Sequence, residues 1–161
     1  MGHEIENRQD REFLPHERDN AEGLLREGHR LPVLHSLVRT GPSALYNCHG
    51  MTFASRRTAI HSEVAVELIL QDDGYREIRQ SNALPGDVVL YYEQSGRNRS
   101  LTHSGVIVGV ERIGSIITLR VVSKWGSGGE YVHDLSVHPY PTSTIHRFFR
   151  AAWVSPATGQ D

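Results

Sequence analysis

The sequence predicts an α+β fold in which N-terminal helices pack on a small antiparallel sheet. The chain has 161 residues, which fits one domain, and its 38% hydrophobic and 22% charged residues are typical of a globular protein with a single core. Apolar residues recur at helical spacing in the first half, whereas β-branched runs separated by polar breaks follow Pro85. Because the helical segments precede the strands instead of alternating with them, the expected class is α+β.

The chain divides into an arm, one domain and a tail. Residues 1–18 are polar throughout and predict a loose N-terminal arm. A single domain is predicted for residues 19–154, because no linker long enough to divide it is present. Residues 155–161 are predicted to form a C-terminal tail.

Helical segments are predicted throughout the first half of the domain. They begin near Asp19, at Pro32, at Leu45 and after Ser62. The segment from Pro32 is a turn or helix that extends through Val38, and Gly41 follows it. The segment over residues 45–57 contains Cys48. Ser62 has the position and chemistry of a helix N-cap.

Four strands are predicted in the second half, together with a short one between the last helix and the sheet. The ranges are 75–79, 88–92, 104–110, 116–122 and 145–151. The polar stretch 93–102 is expected to be a long hairpin connection. The glycine-rich stretch 126–129 is expected to interrupt the sheet after Trp125.

Composition excludes several classes of protein. One cysteine excludes an internal disulfide and a cysteine-rich zinc or iron–sulfur site. A net charge of −2 argues against a broad basic face, so no nucleic-acid partner is expected. No segment approaches the roughly 20 apolar residues of a membrane span, and the charged N-terminus lacks the apolar core of a secretory signal. The expectation is a protein without a membrane partner, cytoplasmic or exported without a cleavable signal peptide.

Cys48 is the first candidate for chemistry. A thiol attacks as the thiolate, so a catalytic cysteine needs a pKa lowered by a helix N-terminus or a nearby imidazole. The turn at Gly41-Pro42 and the helical run after Cys48 would place the thiol in the first turn of a helix. The alternative is that Cys48 is a small buried hydrophobe, as a lone cysteine usually is.

His103 is the candidate base. It precedes the apolar run 104–110 and follows a long polar stretch, so it is expected at the start of a strand, where a side chain faces a cleft more readily than within a core. The alternative is a surface histidine at a loop end, since the chain contains ten histidines.

Three segments together resemble the papain-like NlpC and CHAP superfamily of cysteine peptidases and amidases. They are Asn47-Cys48-His49-Gly50, Pro85-Gly86-Asp87-Val88-Val89-Leu90-Tyr91 and His103-Ser104-Gly105-Val106-Ile107-Val108-Gly109. In that superfamily a cysteine begins a helix, a Gly-Asp strand follows, and a His-x-Gly strand supplies the base. The resemblance, over residues 43–125, implies a papain-like fold and cleavage of an amide bond, most often in peptidoglycan peptides.

The resemblance leaves the third catalytic residue open. The superfamily usually has His, Asn, Gln, Asp or Glu on the next strand to orient the base, whereas this chain has Ser123 followed by Lys124. An orienting group must accept a hydrogen bond from the imidazole, which Ser123 can do and a protonated lysine cannot. Ser123 is therefore the first candidate, and His133 is the second.

Six further residues are candidates for contact with substrate: Tyr46, Asn47, His49, Lys124, Trp125 and His133. Lys124 and Trp125 are expected to form a wall of the cleft, with Lys124 facing a substrate carboxylate. The alternatives are that Trp125 covers the core, that Lys124 is solvated, and that Asn47 is a helix N-cap. Cys48 and the histidines lack the spacing of a metal site, so neither a metal nor a cofactor is expected.

The sequence therefore predicts a cysteine-dependent peptidase or amidase that uses Cys48 and His103 on a peptide or peptidoglycan-type substrate. An acyltransferase on the same fold is one alternative. A binding module that has lost catalysis is the other, and the missing orienting residue favours it. A partner protein is compatible with either alternative.

Overall fold

The computed structural model describes residues 2–152 and contains four α-helices, a short 3₁₀ helix and seven strands. The helices are α1 (Pro15–Gly28), α2 (Arg30–Leu34), α3 (Cys48–Phe53) and α4 (Glu63–Asp72), and the 3₁₀ helix is Gln80–Asn82. The strands are β1 (Leu37–Thr40), β2 (Arg76–Ile78), β3 (Val88–Ser95), β4 (Asn98–Ile113), β5 (Ile116–Lys124), β6 (Glu130–Asp134) and β7 (Ile145–Arg150).

All seven strands form one antiparallel sheet in the order β1-β6-β5-β4-β3-β7-β2. Strands β3 to β6 pair with their sequence neighbours, β7 returns to pair with β3, and the short strands β1 and β2 form the edges. Helices that precede a mainly antiparallel sheet make the fold α+β, as the sequence predicts.

The two faces of the sheet are covered differently. Successive residues of a strand point to opposite faces of the sheet, so Leu90 and Tyr91 of β3 lie in two different cores. On the Leu90 face, β3 packs against α4 through Ala65 and Val66. On the Tyr91 face, the core contains Ile107 of β4, together with Leu119 and Val121 of β5 and Phe148 of β7. Ala83 and Leu135, which lie outside the strands, cover this core in place of a long helix.

The hairpin between β3 and β4 is longer than expected from the sequence. Residues 93–102, predicted to be a connection, continue both strands as far as Ser95 and Asn98. The last part of this hairpin is exposed on both faces, so its residues show no apolar alternation. His103 therefore lies inside a 16-residue strand and not at its beginning, which corrects the expectation for that residue.

The first 40 residues also depart from the expectation. Helix α1 starts at Pro15, four residues before Asp19, because Pro15 occupies its first turn and Glu17 accepts a hydrogen bond from the Leu14 N–H (2.8 Å). The segment predicted to be helical through Val38 ends at Leu34, and residues 37–40 pair with β6 instead.

The fourth helix follows the expectation closely. Ser62 is its N-cap, and the Ser62 hydroxyl accepts a hydrogen bond from the Ala65 N–H (3.3 Å). Gly74, at φ +65°, follows the helix end. The predicted tail, 155–161, lies outside the described residues. None of the helices within residues 2–152 combines the length and the apolarity needed to cross a bilayer.

Candidate active site

Cys48 is the first residue of α3, and Asn47 is the N-cap of that helix. The Asn47 side-chain oxygen accepts hydrogen bonds from the N–H groups of Gly50 (2.9 Å) and Ile60 (3.1 Å), and its amide donates to the Ile60 carbonyl (2.6 Å). All polar atoms of this side chain are therefore used to fix the start of α3. Asn47 has the capping role that the sequence allowed as an alternative to substrate contact.

The Cys48 thiol is nearly buried, with 9% of the residue exposed. Burial raises the pKa of the thiol, and the N–H and hydroxyl of Ser104 partly oppose this effect, together with the His49 N–H. The thiol therefore lies beside Ser104 of β4 and is neutral in this resting arrangement at neutral pH. Activation to the thiolate requires a base or a change in solvation.

Ser104 joins β4 to α3. Its hydroxyl lies 2.8 Å from Nδ1 of His49 and 3.0 Å from the hydroxyl of Thr52, which in turn donates to the Cys48 carbonyl (2.9 Å). Burial lowers the pKa of His49 to about 4, so this imidazole is neutral and its hydrogen bond to Ser104 holds α3 on the sheet. His49 is thus a buried bridging residue and not an exposed substrate contact.

His103, the neighbour of Ser104, points to the opposite face of the sheet. It is directly opposite Tyr91 on β3, and its ring centroid lies 5.1 Å from that of Tyr91 and 4.5 Å from that of Tyr140. The residue is 0% exposed, and neither ring nitrogen has a hydrogen-bond partner within residues 2–152. Burial, followed by neighbouring histidines, lowers its pKa well below the usual value, so the imidazole is neutral.

The expected Cys48–His103 pair is consequently not formed as a hydrogen bond. Both side chains are buried and neutral, and both are next to Ser104. Ser104 follows His103 in β4, and its N–H and hydroxyl lie at the Cys48 thiol. Tyr140 connects their surroundings, because its ring lies against that of His103 at an interplanar angle of 38° and because its pKa is raised by burial and then by electrostatic interaction with Cys48. The sequence did not indicate Tyr140, which lies between β6 and β7, and it gave Ser104 only as part of the His103 motif without a role.

Ser123 does not orient His103. Its hydroxyl lies 2.7 Å from Nε2 of His133 and accepts a hydrogen bond from the indole N–H of Trp125 (3.0 Å). The other nitrogen of His133, Nδ1, lies 2.8 Å from the Asp134 carbonyl. Ser123 and His133, the two candidates for orienting His103, therefore bind each other, and both are fully buried.

Trp125 has the alternative role that the sequence left open. The residue is fully buried, and its indole stacks on Tyr131 at a centroid distance of 4.2 Å. It belongs to the core beside the site instead of forming an exposed wall of a cleft.

Lys124 is fully buried as well, which excludes the solvated alternative. Its ammonium donates to the carbonyls of Gly126 (2.7 Å) and Gly128 (2.9 Å) and lies 5.2 Å from the centre of the Tyr46 ring. Burial lowers the pKa of Lys124 to about 8, while the charges of Cys48, Glu12 and Glu130 oppose this shift. A cation therefore lies within electrostatic reach of the thiol.

Tyr46 binds the buried carboxylate of Glu130, a residue that the sequence did not indicate as part of the site. Its hydroxyl donates to Glu130 (2.8 Å), and Arg56 donates to both oxygens of the same carboxylate. Glu130 is fully buried, and hydrogen bonds from Arg56 and Tyr46 outweigh the effect of burial and lower its pKa. This network fixes the segment before α3 to β6, and Tyr46 is thereby a structural residue in the resting state.

Within residues 2–152, no group of three or more His, Cys, Asp or Glu side chains is arranged to hold a metal ion.

The chain was also compared with known proteins. No family model, no curated protein and no solved structure matches it.

Proposed function

We propose that this protein is a cysteine-dependent amide hydrolase of the papain-like type, with Cys48 as the nucleophile and His103 as its base. The observation that carries the proposal is the His103 imidazole, which is fully buried and has no hydrogen-bond partner for either nitrogen within residues 2–152. It lies one residue from the Ser104 groups at the Cys48 thiol. The resemblance of residues 43–125 to the NlpC and CHAP superfamily supports the same pair.

An unpartnered buried imidazole is costly. Leaving a buried donor or acceptor without a hydrogen bond costs about 1–3 kcal/mol, and most such groups in native proteins are paired. Both ring nitrogens of His133 have hydrogen-bond partners, whereas Nε2 of His146 has none within residues 2–152. His103 is thus a neutral base whose ring nitrogens lack hydrogen bonds at a cost in folding stability. Residues in such destabilising environments are concentrated at functional sites.

Substrate entry brings the two groups together in this proposal. Tyr140 lies against the His103 ring, and its hydroxyl accepts a hydrogen bond from the Gly126 N–H (3.0 Å) at the edge of the glycine-rich turn. Displacement of Tyr140 by a substrate would uncover the His103 ring, and the pair then requires a rearrangement that brings this ring from its face of the sheet to the thiol.

The reaction then follows from the two groups. His103 takes the proton of the Cys48 thiol while sulfur attacks the amide carbonyl carbon. The carbon–nitrogen bond breaks, and the leaving amine receives that proton from the imidazolium. Water then attacks the thioester, His103 takes a proton from it, and this proton returns to sulfur as the carboxylic acid leaves. Atoms balance as one amide and one water giving one acid and one amine.

A non-catalytic binding module is the second candidate, and a specific observation favours it. The thiol is 9% exposed, burial raises its pKa, and no imidazole nitrogen is bonded to it among the described residues. Each of these properties is also that of a structural cysteine.

The two candidates are separated by the reaction of the protein with 4-nitrophenyl acetate. Because Cys48 is the only cysteine, an acetyl adduct in the intact mass that is absent from Cys48→Ala is assigned without competing thiols. The hydrolase acetylates Cys48 and releases nitrophenol repeatedly, and His103→Phe loses about 100-fold in rate. His133→Phe, a matched change of a partnered imidazole, retains most of the rate. A binding module shows no adduct, or an adduct that forms equally fast in His103→Phe.

Product analysis then defines the reaction. Peptides and peptidoglycan fragments are incubated with and without an added amine and analysed by mass spectrometry. Hydrolysis gives the free acid under both conditions, whereas an acyltransferase gives a new amide only when the amine is added.

A further inference from the structure

Glu12 of the N-terminal segment (residues 8–28) is bound as a carboxylate next to the candidate active site. One of its oxygens accepts a hydrogen bond from the Ser43 hydroxyl (2.8 Å), and the other accepts from the Ala44 N–H (3.1 Å) and the Phe13 N–H (2.8 Å). Ser43 is 92% buried, since 8% of it is exposed. The Ser43 hydroxyl and the Ala44 N–H, which we call the carboxylate site, belong to the domain and not to the segment that they bind.

The carboxylate is bound in its ionised form. Burial opposes its ionisation, but the hydrogen bonds from Phe13, Ala44 and Ser43 outweigh burial and lower the pKa of Glu12. Donors directed at both oxygens favour an anion over a neutral amide, because hydrogen bonds to charged groups are the stronger ones.

The carboxylate site lies in the same neighbourhood as the thiol. Ser43 precedes Cys48 by five residues, within the segment that leads into α3. Glu12 and Cys48 are both close enough to Lys124 for their charges to oppose the lowering of its pKa. The Lys124 cation therefore lies within electrostatic reach of the carboxylate site and favours an anionic group there.

The segment that carries Glu12 is loosely held. In α1 only Ala21 is buried, and Leu24 is 62% exposed. Leu25 rests on Gly128, where a Cβ would lie 2.7 Å from Leu25 Cδ2, and a backbone pairing of Arg8 with Ala59 holds the beginning of the segment. Few buried apolar contacts are typical of a segment that opens at low free-energy cost.

We infer that Glu12 is an intramolecular occupant of a site that otherwise receives a carboxylate of the substrate. The substrate would be a peptide with a carboxylate near the cleaved amide, either an acidic side chain or a free C-terminus. As a statement about substrate the inference rests on the proposed function, although binding of a carboxylate does not itself require catalysis.

The test compares two alkylating reagents of nearly equal size, iodoacetate, which carries a carboxylate, and iodoacetamide, which is neutral. The ratio of their rates with Cys48 is measured in the full chain. Glu12→Gln replaces the bound carboxylate with a neutral amide that occupies the site less strongly, and it is expected to raise the iodoacetate-to-iodoacetamide ratio about tenfold, the effect of a hydrogen bond to a charged group. Glu27→Gln, the same change on an exposed position of α1, leaves the ratio unchanged.

A further variant separates the site from a general effect of charge. Glu12→Gln with Ser43→Ala has the same net charge as Glu12→Gln but lacks the Ser43 donor, and it is expected to lose most of the gain. An unchanged ratio in Glu12→Gln, or a gain that persists after Ser43→Ala, overturns the inference.

The source of the carboxylate is distinguished by protection of Cys48 in Glu12→Gln against iodoacetamide. Protection by N-acetylglutamate α-amide indicates an acidic side chain, and protection by N-acetylalanine indicates a C-terminus. Protection by N-acetylglutamine α-amide, which is neutral, or by none of the three contradicts the inference. These alkylation measurements need only the thiol, so they remain valid if His103→Phe shows that the proposed function is wrong. Conversely, His103→Phe tests the proposed function even if the iodoacetate-to-iodoacetamide ratio does not change.

Discussion

Adjacent residues of β4 present polar groups to the two faces of the sheet, and the faces use them differently. On the α3 face, the Ser104 hydroxyl lies within hydrogen-bond distance of His49 and Thr52. On the other face, both nitrogens of His103 and the hydroxyl of Tyr91 opposite it have no hydrogen-bond partner in the part of the chain that the structure describes. Satisfied buried groups stabilise and position elements, whereas unsatisfied ones mark where a ligand or a reaction can supply the missing partner. The comparison therefore assigns a structural role to Ser104 and chemistry to His103, whose face of the sheet holds the unpartnered groups.

The His103 face is also crowded with imidazoles. Tyr91 has the rings of His103, His138 and His146 at centroid distances of 5.1, 4.9 and 4.9 Å. Burial is the largest cause of the lowered pKa of each of these histidines, and the charges of neighbouring histidines add to it for His103 and His138. Protonation on this face is therefore unfavourable in the folded protein.

The largest expected effect is a loss of stability in acid. The pKa values of His49, His133 and His138 are about 4 in the folded protein, against about 6.5 in the unfolded chain. Below pH 6.5 the unfolded chain binds protons that the native state does not, so the free energy of unfolding falls as pH falls toward 4. Each histidine contributes up to about 1.4 kcal/mol per pH unit.

Urea unfolding followed by tryptophan fluorescence at pH 7, 6 and 5 measures this slope. His138→Phe is expected to reduce it by about one fifth, because one of five histidines whose pKa is lowered by burial is removed. A free energy of unfolding that is constant between pH 7 and pH 5 would show that the buried histidines do not couple folding to protonation.

The next effect tests the side of the sheet on which polar groups are satisfied. Glu130→Ala removes the buried carboxylate that binds Tyr46 and Arg56, and it is expected to lower the free energy of unfolding by about 3 kcal/mol. Arg39 also approaches Glu130, but at 3.5 Å and with 48% of its side chain exposed. Arg39→Met is the control and is expected to cost less than about 1 kcal/mol. Equal losses in the two variants would mean that burial of the network contributes nothing.

A smaller effect separates the two kinds of histidine directly. His133→Phe leaves the Ser123 hydroxyl and the Asp134 carbonyl without the imidazole partner and is expected to cost about 2 kcal/mol at pH 7. His103→Phe removes two unpartnered nitrogens and is expected to be neutral or stabilising. Chemical denaturation of both variants measures the difference, and a greater loss in His103→Phe would remove the basis for assigning chemistry to that face.

Local patterns predict the parts of the fold that depend on local physics. The capping of α4 by Ser62 and the β-branched runs of β3 and β5 follow from residue types at fixed spacing. The edge strand β1 could not be predicted, because Leu37 and Val38 are 64% and 55% exposed and their pattern resembles a continued helix. The strand β6 was missed for a similar reason, since its buried Glu130 and His133 read as polar residues.

The candidate site was predictable as residue types but not as an arrangement. Cys48 at the start of a helix follows from the turn before it. The face that His103 occupies depends on strand register, which pairs it with Tyr91 and which no local pattern specifies. The partners of Ser123 and the position of Glu12 depend on contacts between distant parts of the chain, so the sequence alone could not assign them.

The most direct test of the account is the pH dependence of Cys48 acylation by 4-nitrophenyl acetate in wild type and in His103→Phe, between pH 5.5 and 8.5. A neutral imidazole that accepts the thiol proton gives the wild type a much weaker pH dependence than the variant over this range, because burial lowers the pKa of His103 well below its usual value. In His103→Phe only the free thiolate reacts, so the rate falls about tenfold for each pH unit below about 8.5. Two profiles with the same slope, or no acylation in either wild type or Glu12→Gln, would contradict the assignment of Cys48 and His103 as nucleophile and base.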